Sequence, residues 1–278
     1  MSAGGVAGRR AAVLGKPIAH SLSPVIHNEG YAAAGLSGWS YTAIECTEAE
    51  LPDLVAGLGP EWAGLSLTMP LKMAALGMAE EIAPLAAAIG AANTLVRRRD
   101  GGWYADNTDV SGMVEVLRAA GVPDRPTVTV LGAGGTARAA LAAAASLHAP
   151  SVTVAARRPG AIEELRGAAE ALGVRLAGAS WSEAAAHADA DAVVSTVPRG
   201  AADALAGAIA WRPATVLLDA LYDPWPTPLA DAAIAAGCRV ASGLDLLLAQ
   251  AVGQFELFTG VPAPVAAMRA ALEAARRA

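Results

Sequence analysis

A glycine-crowded turn follows a β-branched run. Residues 127–131 read Thr-Val-Thr-Val-Leu, and Gly132-Ala133-Gly134-Gly135-Thr136-Ala137 comes next. Such a turn suits a pyrophosphate: glycine lets the backbone come close, and the N-terminus of a following helix offers unpaired N–H groups and partial positive charge. Gly132 and Gly134 take the first two places of the dinucleotide fingerprint, and Ala137 takes the third, where a small residue suffices. A second strand over residues 151–155 ends at Ala156-Arg157-Arg158. NAD-binding units place a carboxylate about 20 residues beyond the glycines to hold the ribose 2′-hydroxyl. Here two guanidiniums stand instead, and they suit a 2′-phosphate by charge and by bidentate geometry. The expected cofactor is therefore NADP, with NADPH as its reduced form.

Three further clusters could do chemistry. Ser21 and Ser23 alternate before Pro24, which sits well in the first turn of a helix with Ser23 as its cap. Two hydroxyls are more than a cap needs, and with free helix N–H groups they make a site for a polyhydroxylated anion. In Thr68-Met69-Pro70-Leu71-Lys72, Thr68 is expected to cap a helix beginning at Pro70. Lys72 then falls in a first turn, where the dipole disfavours a cation and pushes its pKa below the free value of about 10.4. Asp106-Asn107-Thr108-Asp109 opens a helix running to about Ala120, and two carboxylates, an amide and a hydroxyl are rich for a cap.

The elements that must carry these groups follow from pattern. Strands are expected at residues 11–14, 39–45, 63–67, 90–99 and 103–106, with a hairpin turn at Asp100-Gly101-Gly102 and a helix at 47–57. Residues 127–155 form a strand-turn-helix-strand unit of about 30 residues. Further strands are expected at 191–196, 215–219 and 239–241, and residues 122–126 read as a linker.

Length and composition bound the answer. With 278 residues, two domains are the prior, and 54% hydrophobic with 17% charged residues is globular. A net charge of −6 argues against a nucleic-acid partner. Cys46 and Cys238 fit no metal or redox spacing, residues 1–10 lack an apolar signal core, and a cytoplasmic chain is expected. Residues 139–156 carry no formal charge, but His148, Pro150 and Ser151 interrupt them, so a helix, turn and strand explain them better than a membrane span. His20 and His27 have no third ligand at metal spacing, and no metal is expected.

The ordered set of His20-Ser21-Leu22-Ser23-Pro24, Thr68 to Lys72, Ala92-Asn93-Thr94 and Asp106 to Asp109, ahead of Gly132-Ala133-Gly134-Gly135, resembles the shikimate dehydrogenase family. Asp219-Ala220-Leu221-Tyr222-Asp223-Pro224 and the Ser242 to Ala251 run extend the resemblance over nearly the whole chain. It implies an α/β fold of two domains. An N-terminal substrate domain with a mixed sheet spans residues 1–122, and a doubly wound Rossmann NADP-binding domain spans 123–243. C-terminal helices over 244–278 pack back on the first domain, and a cleft lies between the two domains.

The resemblance also implies the chemistry, the reversible NADP-dependent reduction of 3-dehydroshikimate to shikimate. Ser21 and Ser23 match the pair holding the carboxylate, and Thr68, Asn93, Asp109 and Gln250 match residues holding ring hydroxyls. Lys72 and Asp109 match the catalytic pair, and Tyr222 a tyrosine near the substrate. Gly132, Ala133, Gly134, Gly135, Thr136, Ala137, Ala156, Arg157, Arg158, Thr196, Leu221 and Gly243 are expected against the cofactor. The chain departs from the family at Ser66-Leu67-Thr68, where Asn-Val-Thr is usual, at Ala156-Arg157-Arg158 for Asn-Arg-Thr, and at Asp245 for a second glycine. Related alternatives are a quinate or aminoshikimate dehydrogenase, disfavoured by the intact Ser23, and an inactive NADP-binding regulator, which need not keep both Lys72 and Asp109. The substrate is a small molecule, and a monomer or homodimer is expected, with no nucleic-acid or membrane partner.

Overall fold

The structure, a computed structural model, describes residues 8–277. The first seven residues, most of the stretch read above as lacking a signal core, lie outside the described part, as does Ala278. The elements run β1 (Arg10–Gly15), α1 (Ser23–Ala33), β2 (Ser40–Glu45), α2 (Leu51–Ala56), β3 (Trp62–Leu67), β4 (Glu81–Ile82), α3 (Pro84–Ile89), β5 (Thr94–Arg97), β6 (Trp103–Asp106) and α4 (Thr108–Ala119). They continue as β7 (Val128–Leu131), α5 (Gly135–Ser146), β8 (Ser151–Ala156), α6 (Pro159–Glu163), α7 (Arg166–Ala171), β9 (Arg175–Ser180), β10 (Ala192–Ser195), β11 (Val216–Asp219), α8 (Pro228–Ala235), β12 (Arg239–Ala241), α9 (Gly243–Thr259) and α10 (Val265–Arg277). Among the described residues no helix is long and apolar enough to cross a membrane. The uncharged stretch at 139–156 divides between α5 and β8.

The chain forms two compact units. One holds residues up to Ala87, Ala91–Thr108 and Gln250–Ala278; the other holds Ala88–Gly90 and Asp109–Ala249. Both α4 and α9 therefore begin in one unit and end in the other.

The first unit is built on a mixed sheet of order β2-β1-β3-β5-β6-β4. Strand β1 runs parallel to β2 and β3, while β3–β5 and β5–β6 are antiparallel. All six residues of β3 are buried, as its central place requires. The C-terminal helices return to this unit, where Gly30 of α1 leaves no room for a side chain: a Cβ there would sit 3.1 Å from both Met268 of α10 and Phe255 of α9.

The second unit is a parallel sheet of order β12-β11-β10-β7-β8-β9. Numbered within the unit this is 6-5-4-1-2-3, the doubly wound arrangement. Its third strand, β9, gave no sequence signal. The strand lies at the edge, is mostly exposed and reads Arg-Leu-Ala-Gly-Ala-Ser, so no apolar pattern marks it.

Two local expectations are corrected. No helix starts at Pro70: the Met69–Pro70 peptide is cis, and the Leu71 N–H closes a turn on the Thr68 carbonyl at 2.8 Å. Residues 69–73 stay in turns, and a 3-10 helix follows at Ala74–Met78. The helix-dipole reading of Lys72 lapses with that helix. Ser23 does not cap α1. It lies inside the first turn, Leu22 takes the N-cap position with no side-chain cap bond, and the Ser23 N–H donates to the Ser21 hydroxyl at 3.3 Å.

The core of the first unit includes His27, whose ring stacks on Tyr41 with centroids 4.1 Å apart and planes 3° apart. It is fully buried, and neither ring nitrogen has a hydrogen bond of good geometry. Burial pushes His27 down to about 3, and the Gln254 amide opposes this only weakly. An unfolded histidine takes a proton near pH 6.5, so between that value and about 3 the unfolded chain binds a proton that the folded one refuses. This contribution to stability is complete above pH 6.5 and is lost by up to about 1.4 kcal/mol per pH unit on acidification. Thermal melts from pH 7 to pH 4 are expected to show a shallower decline in His27→Phe than in the parent chain. Equal declines would contradict this.

Candidate functional site

In the second unit, the residues expected against a dinucleotide gather at one edge of the parallel sheet. Gly132 follows β7, Arg157 follows β8, Thr196 follows β10 and Ala220-Leu221 follow β11, all at the C-terminal ends of their strands. Sheet order reverses at β7, with β10 on one side and β8 on the other. Outside this switch point is where doubly wound sheets take ligands.

Two glycines of the turn serve different ends. Gly132 has φ +107°, and a Cβ there would meet the Thr196 hydroxyl oxygen at 2.6 Å. Thr196 is itself fixed, its N–H and its hydroxyl both donating to the Leu131 carbonyl at 2.9 Å. The fold therefore demands glycine at 132. Gly134 has φ −92°, a backbone any residue adopts, and a Cβ there would meet nothing within 4 Å. No neighbour among the described residues requires that glycine, whereas a ligand lying against the N-terminus of α5 would. The residues present thus fit a dinucleotide.

The turn is braced behind. Buried Arg138, in the first turns of α5, donates to the carbonyl of Ile89 at 2.9 Å and to that of Glu164 at 3.2 Å. Asp219, at the end of β11, accepts from the Thr227 hydroxyl at 2.7 Å and the Leu221 N–H at 3.2 Å. Burial raises its carboxyl above the usual range against these hydrogen bonds. Gly243 packs on the same turn: its N–H donates to the Leu221 carbonyl, and a Cβ there would run into the Ala220 carbonyl oxygen. Tyr222 is half-buried, and burial, with the Asp223 charge second, raises its phenol above the ordinary value. Arg157 and Arg158 are exposed, and among the described residues their guanidinium groups make no hydrogen bond or ion pair, although the Arg158 carbonyl accepts from the Ala161 N–H at 3.1 Å.

In the first unit the expected residues also lie at strand ends. Ser21 and Ser23 follow β1, and Thr68 to Lys72 follow β3, its parallel neighbour. Thr68 packs so close to Gly15 that a Cβ on that glycine would overlap its methyl group. The Lys72 carbonyl accepts from the Ala92 N–H at 2.8 Å, and the Asn93 carbonyl accepts from the Leu67 N–H at 2.7 Å, which brings Thr68, Lys72 and Asn93 to one end of the sheet. The Asn93 Oδ1 accepts from the Thr108 N–H at 2.8 Å and from the Thr94 hydroxyl at 2.7 Å, and its Nδ2 donates to the Thr108 hydroxyl at 3.1 Å. Asn93 thus holds the first residue of α4, and buried Asp109 is the second. Gln250 is buried on α9.

Sequence reasoning missed Gln254, Ser66 and Tyr41, which form a buried chain leading to Asn93. A signal existed. Gln254 stands four residues after Gln250, on the same face of a helix rich in apolar residues. Arg138 and Asp219 were missed because their partners are main-chain or distant groups. Among the described residues no group of three His, Cys, Asp or Glu is placed to hold a metal ion.

Comparison with known proteins identifies relatives of this arrangement. Residues 13–95 match the model for the shikimate dehydrogenase substrate binding domain, and residues 243–273 the shikimate 5′-dehydrogenase C-terminal domain. The chain is 40% identical over 270 residues to a shikimate dehydrogenase (NADP+) of Anaeromyxobacter dehalogenans, covering 94% of this chain and 95% of that protein. It is 48% identical to the shikimate dehydrogenase of Mycobacterium tuberculosis, with a TM-score of 0.86 and coverage of 96% and 99%. The shikimate 5-dehydrogenase of Thermus thermophilus, solved in complex with NADP(H) and shikimate, is 33% identical with a TM-score of 0.83 and coverage of 96% and 99%.

The two glycines predict opposite outcomes. Gly132→Ala is expected to cost about 1–3 kcal/mol of stability, since it forces a side chain into left-handed backbone against Thr196. Gly134→Ala is expected to leave the melting temperature within about 2 °C of the parent, and dinucleotide titration should reveal its loss as one of binding alone. A marked fall in melting temperature for Gly134→Ala would refute the distinction.

Proposed function

The chain belongs to the shikimate dehydrogenase family, and from that premise we propose that it catalyses the reversible NADP-dependent reduction of 3-dehydroshikimate to shikimate, a step toward the aromatic amino acids. The observation that carries the reading is the occurrence, in one chain, of a strand-end edge with an open Gly134 at the N-terminus of α5 and of the Ser21, Ser23, Thr68, Lys72 and Asn93 set at the strand ends of the first unit.

When bound, the nicotinamide supplies a hydride to the ketone carbon of the substrate. The negative charge that grows on the ketone oxygen needs a proton and a counter-charge, and Lys72 provides both from its ammonium group. Asp109 is the second member of the catalytic pair. Ser21 and Ser23 hold the substrate carboxylate, and Thr68, Asn93, Asp109 and Gln250 hold ring hydroxyls. Tyr222, kept as a phenol by its burial, is a donor at the same substrate. The cofactor is held along its phosphates by the Gly132 to Ala137 turn, at the 2′-phosphate by Arg157 and Arg158 beyond Ala156, and near its nicotinamide by Thr196, Leu221 and Gly243. The two guanidinium groups support the NADP assignment, because they stand exposed at the end of β8 with no ion pair among the described residues. The substrate-binding unit is the first and the cofactor unit the second. The enzyme works in the cytoplasm as a monomer or homodimer, a setting consistent with free Cys46 and Cys238.

Steady-state kinetics with shikimate and quinate, each with NADP+ and NAD+, test the reading, and the fastest turnover is expected with shikimate and NADP+. Lys72→Ala is expected to lower kcat by about 10²–10⁴-fold with little change in KM; near-normal kcat would remove Lys72 as the acid. Replacing Arg157 and Arg158 together by alanine is expected to raise KM for NADP+ about tenfold or more, by loss of charge-assisted bonds, while KM for NAD+ stays level. A parallel rise in both constants would count against the 2′-phosphate assignment.

A further inference from the structure

The first unit contains a line of buried hydrogen bonds whose direction can be worked out. The Tyr41 hydroxyl lies 2.6 Å from the Ser66 hydroxyl, which lies 2.6 Å from Oε1 of Gln254. Nε2 of Gln254 lies 3.1 Å from the Asn93 carbonyl and 3.0 Å from the Thr94 hydroxyl. The Thr94 hydroxyl lies 2.7 Å from Oδ1 of Asn93, which also accepts the Thr108 N–H at 2.8 Å. A main-chain carbonyl can only accept, so the Asn93 carbonyl requires the NH₂ end of Gln254 to face it. The oxygen end then faces Ser66, which must donate, and Ser66 in turn accepts from Tyr41. Thr94 accepts from Gln254 and so has its proton free for Asn93. Each donor points the same way, from Tyr41 to Asn93, and Tyr41, Ser66, Gln254, Thr94, Asn93 and Thr108 are all buried.

This line ends on the first residue of α4, one position before Asp109. It also includes Ser66, whose hydroxyl bridges Tyr41 and Gln254. Helix α9 approaches Thr108 by packing as well, since a Cβ on Gly253 would lie 3.3 Å from the Thr108 methyl group.

We propose that Gln254 is a positioning residue for the reaction: through the Asn93 carbonyl and Thr94 it orients the Asn93 amide, which holds the N-terminus of α4 and thereby sets the carboxylate of Asp109. The proposal rests on the functional reading above for the role of Asp109, but the placement of α4 by Gln254 can be tested without it. Loss of Gln254 removes two donors and the acceptor of the Ser66 hydroxyl, leaving that hydroxyl unmatched and the Asn93 carbonyl with the Leu67 N–H alone, in a buried setting where low dielectric makes each loss count. Loss of Ser66 frees the amide to turn but leaves both donors present, so its effect is smaller.

The experiment compares Gln254→Met and Ser66→Ala with the parent chain by amide hydrogen exchange and by steady-state kinetics, with active sites counted by NADP+ titration. Exchange protection at the Thr108 amide is expected to fall about tenfold in Gln254→Met and about threefold in Ser66→Ala, the range that neutral buried hydrogen bonds command. Turnover of shikimate per NADP+ site is expected to fall in the same order, while KM for NADP+ stays within about twofold of the parent value. Unchanged Thr108 protection in both variants overturns the proposal, as does a rise in KM for NADP+ in step with the loss of turnover. Should Gln254→Met fail to fold, Ser66→Ala carries the test. A parent chain that turns over no shikimate would sink the functional reading, while exchange at Thr108 would still decide whether Gln254 places α4.

Discussion

Parallel strands deliver all of their outgoing loops to one edge of a sheet, and the second unit depends on that constraint. Each strand must be followed by a crossover before the next parallel strand can begin, and crossovers are right-handed. Winding outward from β7 through β8 to β9, and then from β10 to β12 on the other side, sends the two sets of crossovers to opposite faces. The end of β7 is left uncovered where they part. Gly132 and Thr196 meet there, and the N-terminus of α5 opens beside them. The contact between those two residues is so close that no other residue fits at 132. The backbone amides that follow are consequently held at a fixed place on the edge, before any ligand arrives.

The first unit solves a different problem with a mixed sheet. Its parallel part, β1 to β3, brings the serine loop and the lysine loop to one end. Its antiparallel part, β5 and β6, then returns the chain so that Asn93 at the start of β5 and Thr108 just past the end of β6 can bond directly. Matched polar groups in a dry interior are rigid, because any rearrangement leaves a donor or acceptor unpaired. The same interior keeps His27 neutral and stacked on Tyr41, so packing and hydrogen bonding restrain the same ring pair.

Much of this was readable in the linear chain, and the reasons are specific. Strands β7, β10 and β11 are buried on both faces and read as short apolar runs, which pattern detects. The β5–β6 hairpin was marked by its Asp-Gly-Gly turn. Strand β9 escaped because an edge strand need not be apolar. The helix expected at Pro70 did not form because proline signals helix start and turn with equal force, and only the rest of the chain decides between them. Ser21 and Ser23 were both noticed, but α1 starts after Leu22, and where its first turn begins is a backbone property that residue type does not report.

Residue type and spacing determined the reactive inventory: glycines where a phosphate can approach, two arginines where a carboxylate is absent, and serines, a lysine and aspartates in a set order. Those are local properties, legible because each rests on a few neighbouring residues. Tertiary structure alone decided which of them are held and by what. Gln254 reaches Asn93 across 161 residues of sequence, and Ser66 reaches Gln254 across 188. A hydrogen bond needs its partners within about 3 Å and correctly aimed, and separations of that kind leave no trace in spacing.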